Sequence, residues 1–277
     1  MNMDDFLVSI CILTLNHLEI TQKCLESLLK TSFPGKVEIV LVDNGSTDRT
    51  SQWLLEFQDR YNTPDIRIVL LINRENRGCT GGRNQACKLA TGKYIVLLDN
   101  DVEIIQINWL EKLIEFYNAH DNIGIVGPKM LYPDYPHKIQ QIGLGVTMNG
   151  KIGYWGQGKD RNDPSCTVMR ELQGYPAACW LLRRNLFDEV GYFDDVYYPV
   201  NLEDVDFCYR VREKGYKIIY CPEVEMYHHE HITTKHTQGL SFIRVTLKNG
   251  QIFKDRWHHM YEKEDGMQLD DIHWENS

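Results

Sequence analysis

The feature that most restricts the fold is an alternation of apolar runs with amphipathic segments between residues 6 and 101. FLVSICILTL (6–15) is a continuous apolar run with β-branched residues, as expected of a buried strand. LEITQKCLESLLKT (18–31) puts Ile20, Cys24, Leu25 and Leu28 on one helical face. KVEIVLVDNGS (36–46) is a second buried strand that ends in turn formers, and 47–61 reads as a helix with Asp48 in its opening turn. DIRIVLLINRE (65–75) is a third strand, Gly81 to Ala90 a helix closed by Gly92, and KYIVLLDND (93–101) a fourth strand. Strands apolar on both faces, alternating with helices, imply an α/β fold with a Rossmann-like, mostly parallel sheet and helices on both faces. Such sheets bind ligands beyond the carboxyl ends of their strands. Those ends are Thr14-Leu15-Asn16, Asp43-Asn44-Gly45, Asn73 to Gly78 and Asp99-Asn100-Asp101, and they are expected to converge on one crevice.

The alternation weakens after residue 104. Trp109 to His120 reads as a helix and GIVGPKML (124–131) as a strand. Residues 132–170, rich in Gly, Pro, Asp and Tyr, show no period and read as irregular hairpins or a mobile flap. A strand and a short helix follow within 172–194. LEDVDFCYRVREKG (202–215) is a helix with acids in its first turn and a Gly stop, and KIIYCP (217–222) is a strand. The segment 239–261 is helical and basic. The chain divides into a unit over 1–235, with halves 1–103 and 104–235. A C-terminal helical extension (236–277) completes it.

Charge and cysteines narrow the class. Thirty Lys and Arg against 39 Asp and Glu give a net charge of −9, which argues against a nucleic-acid partner. The eight cysteines form no CxxC pair, as expected of reduced thiols in a cytoplasmic protein. No run approaches the length of a membrane span. MNMDDFLVSICIL carries acids where a secretory leader needs bases, so none is expected.

The chemistry-bearing residues each admit a plain reading and a functional one. YIVLLDNDVE (94–103) runs apolar residues straight into Asp99 and Asp101. A buried carboxylate is costly unless paired or bound to a cation, so these acids either end in a solvated turn or hold something. Asp43 in VDNGSTD is an Asx-turn or helix-cap residue, or a ligand contact. NRENRGCTGGRNQA supplies flexible backbone before a helix N-terminus, a setting that suits an anion, yet its spacing is neither a Walker loop nor a dinucleotide fingerprint. Arg83 in it is a surface cation or an anion contact. Glu203, Asp204 and Asp206 open a helix, where the dipole keeps carboxylates ionised. They are caps, or they contain a general base. YHHEH (227–231) after a strand is a solvated loop or contains a metal ligand, with no Cys spaced for zinc. Trp180 is read as core. The basic C-terminal segment, with its interleaved aromatics, is a packed amphipathic helix or a peripheral contact with the inner face of the plasma membrane.

VSICILTLNH, VEIVLVDNGSTD, NRENRGCTGGRNQA, YIVLLDNDVEI, YPAACWLLRRNLFDEVGYFD, LEDVDFCYRVREKGYKIIYCP and YHHE occur in one order across residues 6–231. In these pieces the chain resembles family 2 glycosyltransferases, inverting sugar-nucleotide enzymes of the GT-A fold. Within that family it most resembles bacterial rhamnosyltransferase-like and galactofuranosyltransferase-like members that build surface polysaccharides. The resemblance implies that 1–235 is a catalytic unit, with 1–103 its nucleotide-binding half and 104–235 its acceptor/catalytic half. It implies that Asp101 binds Mg²⁺ or Mn²⁺, with Asp99 nearer the ribose or the metal shell. It implies that His228 completes the metal site, with His229 as the alternative. It puts Asp43 on the nucleoside, Thr14 and Leu15 at the base, and Asn76, Gly78, Arg83 and Asn100 near the nucleotide. Asp204 would be the base, with Glu203 the runner-up. The implied donor is a UDP- or dTDP-sugar, and the acceptor a hydroxyl on a carbohydrate, lipid-linked or protein substrate. A non-catalytic nucleotide-sugar-binding protein on the same scaffold is the competing reading; the intact acidic motifs disfavour it. A nucleotidyltransferase would want a Gly-rich basic signature after the first strand, where this chain has LTLNHLEIT.

Overall fold

The computed structural model describes residues 6–229, 242–264 and 266–268. The expectations for 230–235 and for the outer parts of the extension fall outside these residues. Among them, β1 (Val8–Thr14), β2 (Val37–Asp43), β3 (Ile66–Ile72) and β4 (Tyr94–Asp99) alternate with α1 (Leu18–Leu29), α2 (Thr50–Tyr61) and α3 (Gly78–Leu89). The four strands are parallel, in the order β4-β1-β2-β3. Their register puts Leu13 beside Asp99, Thr14 beside Asp43, and Asp43 beside Ile72, so the carboxyl ends stop at one level. The side-chain period of two sends Ile10 and Ile12 to one face, with Leu25, Leu28 and Leu54, and Cys11 to the other, with Ala86 and Cys87. Both faces are thereby buried, and this demands the unbroken apolar runs. All eight cysteines are free. No helix among the described residues is long and apolar enough to cross a membrane.

The second half adds β5 (Val102–Ile104), α4 (Trp109–Ala119), β6 (Ile123–Leu131), β7 (Ile139–Gln141), β8 (Leu144–Val146), β9 (Ile152–Tyr154), β10 (Arg170–Leu172), β11 (Cys179–Arg183), α5 (Leu186–Val190), α6 (Glu203–Glu213), β12 (Lys217–His228) and α7 (Phe242–Tyr261). Antiparallel β11 inserts between β4 and β6, and β12 continues the sheet parallel to β6. The irregular segment 132–170 forms hairpins, as expected, and buries Ile139, Ile142, Leu144 and Val146. Helix α3 begins at Gly78 rather than Gly81, because Asn76 Oδ1 accepts the Gly78 amide at 2.8 Å and Pro199 O accepts that of Cys79 at 2.6 Å. Strand β12 runs past Pro222 to His228. A register shift between Cys221 and Glu225 absorbs the missing amide, after which the strand resumes beside β6 and β5. A smaller apolar cluster joins Phe253, Trp257 and Tyr261 of α7 to Val205 and Tyr209 of α6 and to Leu144 and Val146 of β8. The packed-helix reading of the basic segment therefore holds for α7.

Candidate active site

One cleft of about 300 Å³ lies over the carboxyl ends of β1 and β4 and the N-terminus of α6. Thr14, Leu15, Asn76, Gly78, Arg83, Asp99, Asn100, Asp101, Glu203, Asp204 and His228 all line it. Asp43 does not. It is fully buried, accepting from the Ser46 amide (3.0 Å) and hydroxyl (2.5 Å) and from the Ser51 hydroxyl. As placed, it orders the turn from β2 into α2, which is the Asx-turn alternative. The same chemistry that makes Asp a ligand makes it a turn former.

Asp99, Asp101 and His228 offer ligand atoms within 4.8 Å of one another. The strands explain the meeting. β5 starts immediately after Asp101 and pairs antiparallel with the end of β12, setting His228 opposite Val102, while the His229 amide donates to Asp101 O at 2.9 Å. His229 itself turns to Glu103, 3.2 Å away. Asp101 is 8% exposed, and its Oδ1 has no hydrogen-bond partner although His228 Nε2 lies 3.2 Å off. An unbonded buried carboxylate oxygen is costly without a counter-charge. Burial pushes the Asp101 carboxyl up, but the facing His228 outweighs it and holds the group below its ordinary value. Two carboxylates and an imidazole suit Mg²⁺ less well than Mn²⁺, which accepts oxygen and nitrogen donors together.

Arg83 organises the other wall. One arm lies 2.7 Å from Asp99 Oδ1, the other 2.9 Å from Glu203 Oε1. It is the one Lys or Arg among the described lining residues, and both arms are already on carboxylates. Burial, reinforced by the charge of Asp204 and opposed by Arg83, pushes Glu203 up to about 7. Burial also raises Asp204, again against Arg83. Asp204 accepts the Ala177 amide at 3.2 Å and the Val205 amide at 2.8 Å, and is more exposed than Glu203. The chain enters α6 through Asn201 and Leu202 at φ +86° and +70°. A left-handed leucine costs roughly 1–2 kcal/mol, so surrounding contacts must hold it. Asn249 of α7 does so: fully buried, its Nδ2 donates to the carbonyls of Tyr197, Val200 and Asn201 at 2.9, 2.9 and 2.8 Å.

Asp206 is not in the cleft. It is fully buried, accepting from Tyr197, Arg256 and Trp257 at Oδ1 and from Arg210 at Oδ2. Trp180 is likewise buried, its indole N–H donating to Tyr175 O at 3.0 Å. At the ends of β1 and β4, Asn100 Nδ2 bonds Thr14 and Thr21 at 3.3 and 3.0 Å, which braces β1 against α1. Asn44 bridges Asn76 (2.9 Å) and Gly78 O (3.0 Å). Gly78 has φ +72°, and a Cβ there would sit 2.8 Å from Pro199 O. Gln140, Gln141, Tyr154 and Phe242 also line the cleft, and none was among the residues singled out from the sequence. They come from segments without periodicity or from the start of α7, and no local pattern marks them.

Residues 9–191 match the family model described as Glycosyl transferase family 2. The protein y4gI of Sinorhizobium fredii is 31% identical over 235 residues, 83% of this chain and 25% of its own length. The O-antigen biosynthesis protein RfbC of Myxococcus xanthus is 28% identical across 80% of this chain and 17% of its own. The chain thus spans a quarter or less of these relatives. An N-acetylglucosaminyl-diphospho-decaprenol L-rhamnosyltransferase of Mycobacterium tuberculosis is 28% identical over 70% of this chain and 67% of its own. Among solved structures, GalNAc-T7 with UDP, GalNAc and Mn²⁺ superposes with a TM-score of 0.72 at 17% identity, over 93% of this chain and 49% of that one. Pyrobaculum calidifontis mannosyltransferase PcManGT, with GDP-Man and Mn²⁺, gives 0.60 at 20%, over 80% and 56%. These likenesses bear on the fold, which is GT-A.

Proposed function

The chain belongs to glycosyl transferase family 2, and from that premise we propose that it is a metal-dependent inverting glycosyltransferase. It moves a sugar from a nucleotide donor to a hydroxyl of a glycan or lipid-linked acceptor in surface polysaccharide or glycoconjugate assembly. The observation that carries this reading is the pairing, in one cleft, of Asp99, Asp101 and His228 with the acid pair Glu203-Asp204. RfbC is by its name an O-antigen biosynthesis protein, and the rhamnosyltransferase by its name acts on N-acetylglucosaminyl-diphospho-decaprenol, a lipid-linked sugar.

Asp99, Asp101 and His228 would hold Mg²⁺ or Mn²⁺, with Mn²⁺ better matched to the imidazole. An ion held there would supply positive charge to offset that of the donor diphosphate. The cleft supports this need, since both arms of Arg83, its one described Lys or Arg, are engaged by carboxylates. Thr14, Leu15, Asn76, Gly78 and Asn100 bind the nucleoside and phosphates. Asp204 takes the proton from the acceptor hydroxyl as its oxygen attacks the anomeric carbon and the nucleoside diphosphate departs from the opposite side. One displacement inverts the configuration and needs one base. The raised value of Asp204 makes it a stronger base than an ordinary aspartate. Glu203, deeper and tied to Arg83, orients that arginine beside Asp99.

Thermal-shift measurements with UDP-, dTDP- and GDP-sugars, with and without Mn²⁺, test the donor assignment. Stabilisation by one nucleotide sugar, larger with Mn²⁺ and lost in Asp101→Ala, is the expected result. No stabilisation by any of them with Mn²⁺ overturns it.

A further inference from the structure

Gln140 has no part in the mechanism above, yet it is 3% exposed and lines the cleft. It lies on β7, in the segment without sequence periodicity. Its Oε1 is 2.7 Å from His228 Nδ1, and its Nε2 donates to His228 O at 3.3 Å. A backbone carbonyl only accepts, so the amide nitrogen must be the end that faces it, and the amide oxygen the end that faces the ring. An amide oxygen cannot donate, so His228 Nδ1 carries the hydrogen. In the neutral ring the lone pair is then on Nε2, the atom 3.2 Å from the unbonded Asp101 Oδ1. Two acceptors at that distance repel unless a proton on Nε2 or a metal cation lies between them.

We propose that Gln140 is a positioning residue for a divalent-cation site: it fixes the Nδ1–H tautomer and the ring orientation of His228, so that Nε2 is presented together with Asp99 and Asp101. This rests on reading those three residues as the cation site. The logic is that of histidine ligands in general, whose second nitrogen donates to an outer oxygen that orients the ring. It gives the irregular segment a task, because β7 pairs with β6 at Met130–Gln141 and Leu131–Ile139 and so holds Gln140 against the end of β12.

The test uses the full chain and Mn²⁺ alone, with binding followed by electron paramagnetic resonance of the free ion. Gln140→Ala is expected to weaken Mn²⁺ binding by about 10- to 100-fold. Gln140→Glu keeps an acceptor for Nδ1–H and is expected to bind far more tightly than Gln140→Ala. His228→Ala and Asp101→Ala calibrate the site. If both weaken Mn²⁺ binding while Gln140→Ala binds as wild type, or if Gln140→Glu is as weak as Gln140→Ala, the role of Gln140 is overturned and the cation site stands. If His228→Ala and Asp101→Ala also bind as wild type, the cation site itself falls. Histidine ¹⁵N spectra of the metal-free wild-type protein give a readout independent of any variant's folding. Recorded at a pH where the ring is neutral, the spectra are expected to show the proton on Nδ1, and the Nε2–H tautomer refutes the proposal.

Discussion

Asp206 and Asp204 stand two positions apart in the first turn of α6, and they have opposite surroundings: Asp206 is fully buried and Asp204 lines the cleft. Asp206→Ala removes the acceptor of four donors, those of Tyr197 (3.1 Å), Arg256 (2.8 Å), Trp257 (2.8 Å) and Arg210 (2.9 Å). Breaking a buried charged pair from one side costs about 3–5 kcal/mol, because the partner is left uncompensated. Arg256 is 35% exposed and rehydrates in part, so the lower end, about 3 kcal/mol, applies. At about 2–4 °C per kcal/mol for a chain of this size, the thermal midpoint should fall by roughly 6–12 °C. Asp204→Asn disturbs only bonds from the amides of Ala177 and Val205, and its stability should stay within about 1 kcal/mol of wild type. Differential scanning calorimetry of both variants decides the matter. An Asp206→Ala midpoint equal to wild type refutes the reasoning, since it would mean that the α6–α7 contact is not held by this carboxylate.

Other consequences follow from the same geometry. A carboxyl whose folded value lies above its unfolded one favours folding only when protonated. The contribution of Glu203 is therefore complete below about 4.5 and is lost as pH rises through about 7, with an upper bound near about 3 kcal/mol. Denaturant midpoints should fall from about pH 5.5 to about pH 8 by more in wild type than in Glu203→Gln, and equal slopes contradict this. Asn249→Ala frees three carbonyls of the loop that leads to the acid pair, so kcat should drop roughly 10- to 100-fold with donor KM little changed. An unaltered kcat contradicts that positioning role. Gly78→Ala forces a Cβ into Pro199 O and the Tyr198 ring at φ +72°. It should weaken nucleotide binding in titration calorimetry and destabilise the protein by roughly 1–3 kcal/mol; unchanged affinity contradicts it.

The parallel half was legible because its information is local. Apolar period and turn residues mark β1 to β4, and once the strands are parallel and in register their ends must share one level. Asp99 and Asp101 stood out because acids at the end of an apolar run need a reason, whereas Glu203-Asp204 read equally as helix-start acids and was singled out by the family resemblance. His228 was legible as a residue but not as a contact, which depends on the register shift after Cys221 and on pairing with β5. The insertion of antiparallel β11 between β4 and β6 was hidden too, because a strand's own sequence does not name its neighbours. Asp43 and Asp206 were ambiguous for one physical reason. A carboxylate that caps, anchors or binds looks the same until its donors are known. Gln140 and Asn249 are neutral amides whose roles arise from long-range packing alone.

We propose that this cleft transfers a glycosyl group with Asp204 as the base. The most direct test is the rate of sugar transfer by Asp204→Asn at saturating donor and Mn²⁺, beside its Mn²⁺ affinity. Transfer slower by about 10²- to 10⁴-fold with Mn²⁺ binding unchanged is the expected result. Transfer at the wild-type rate would contradict it.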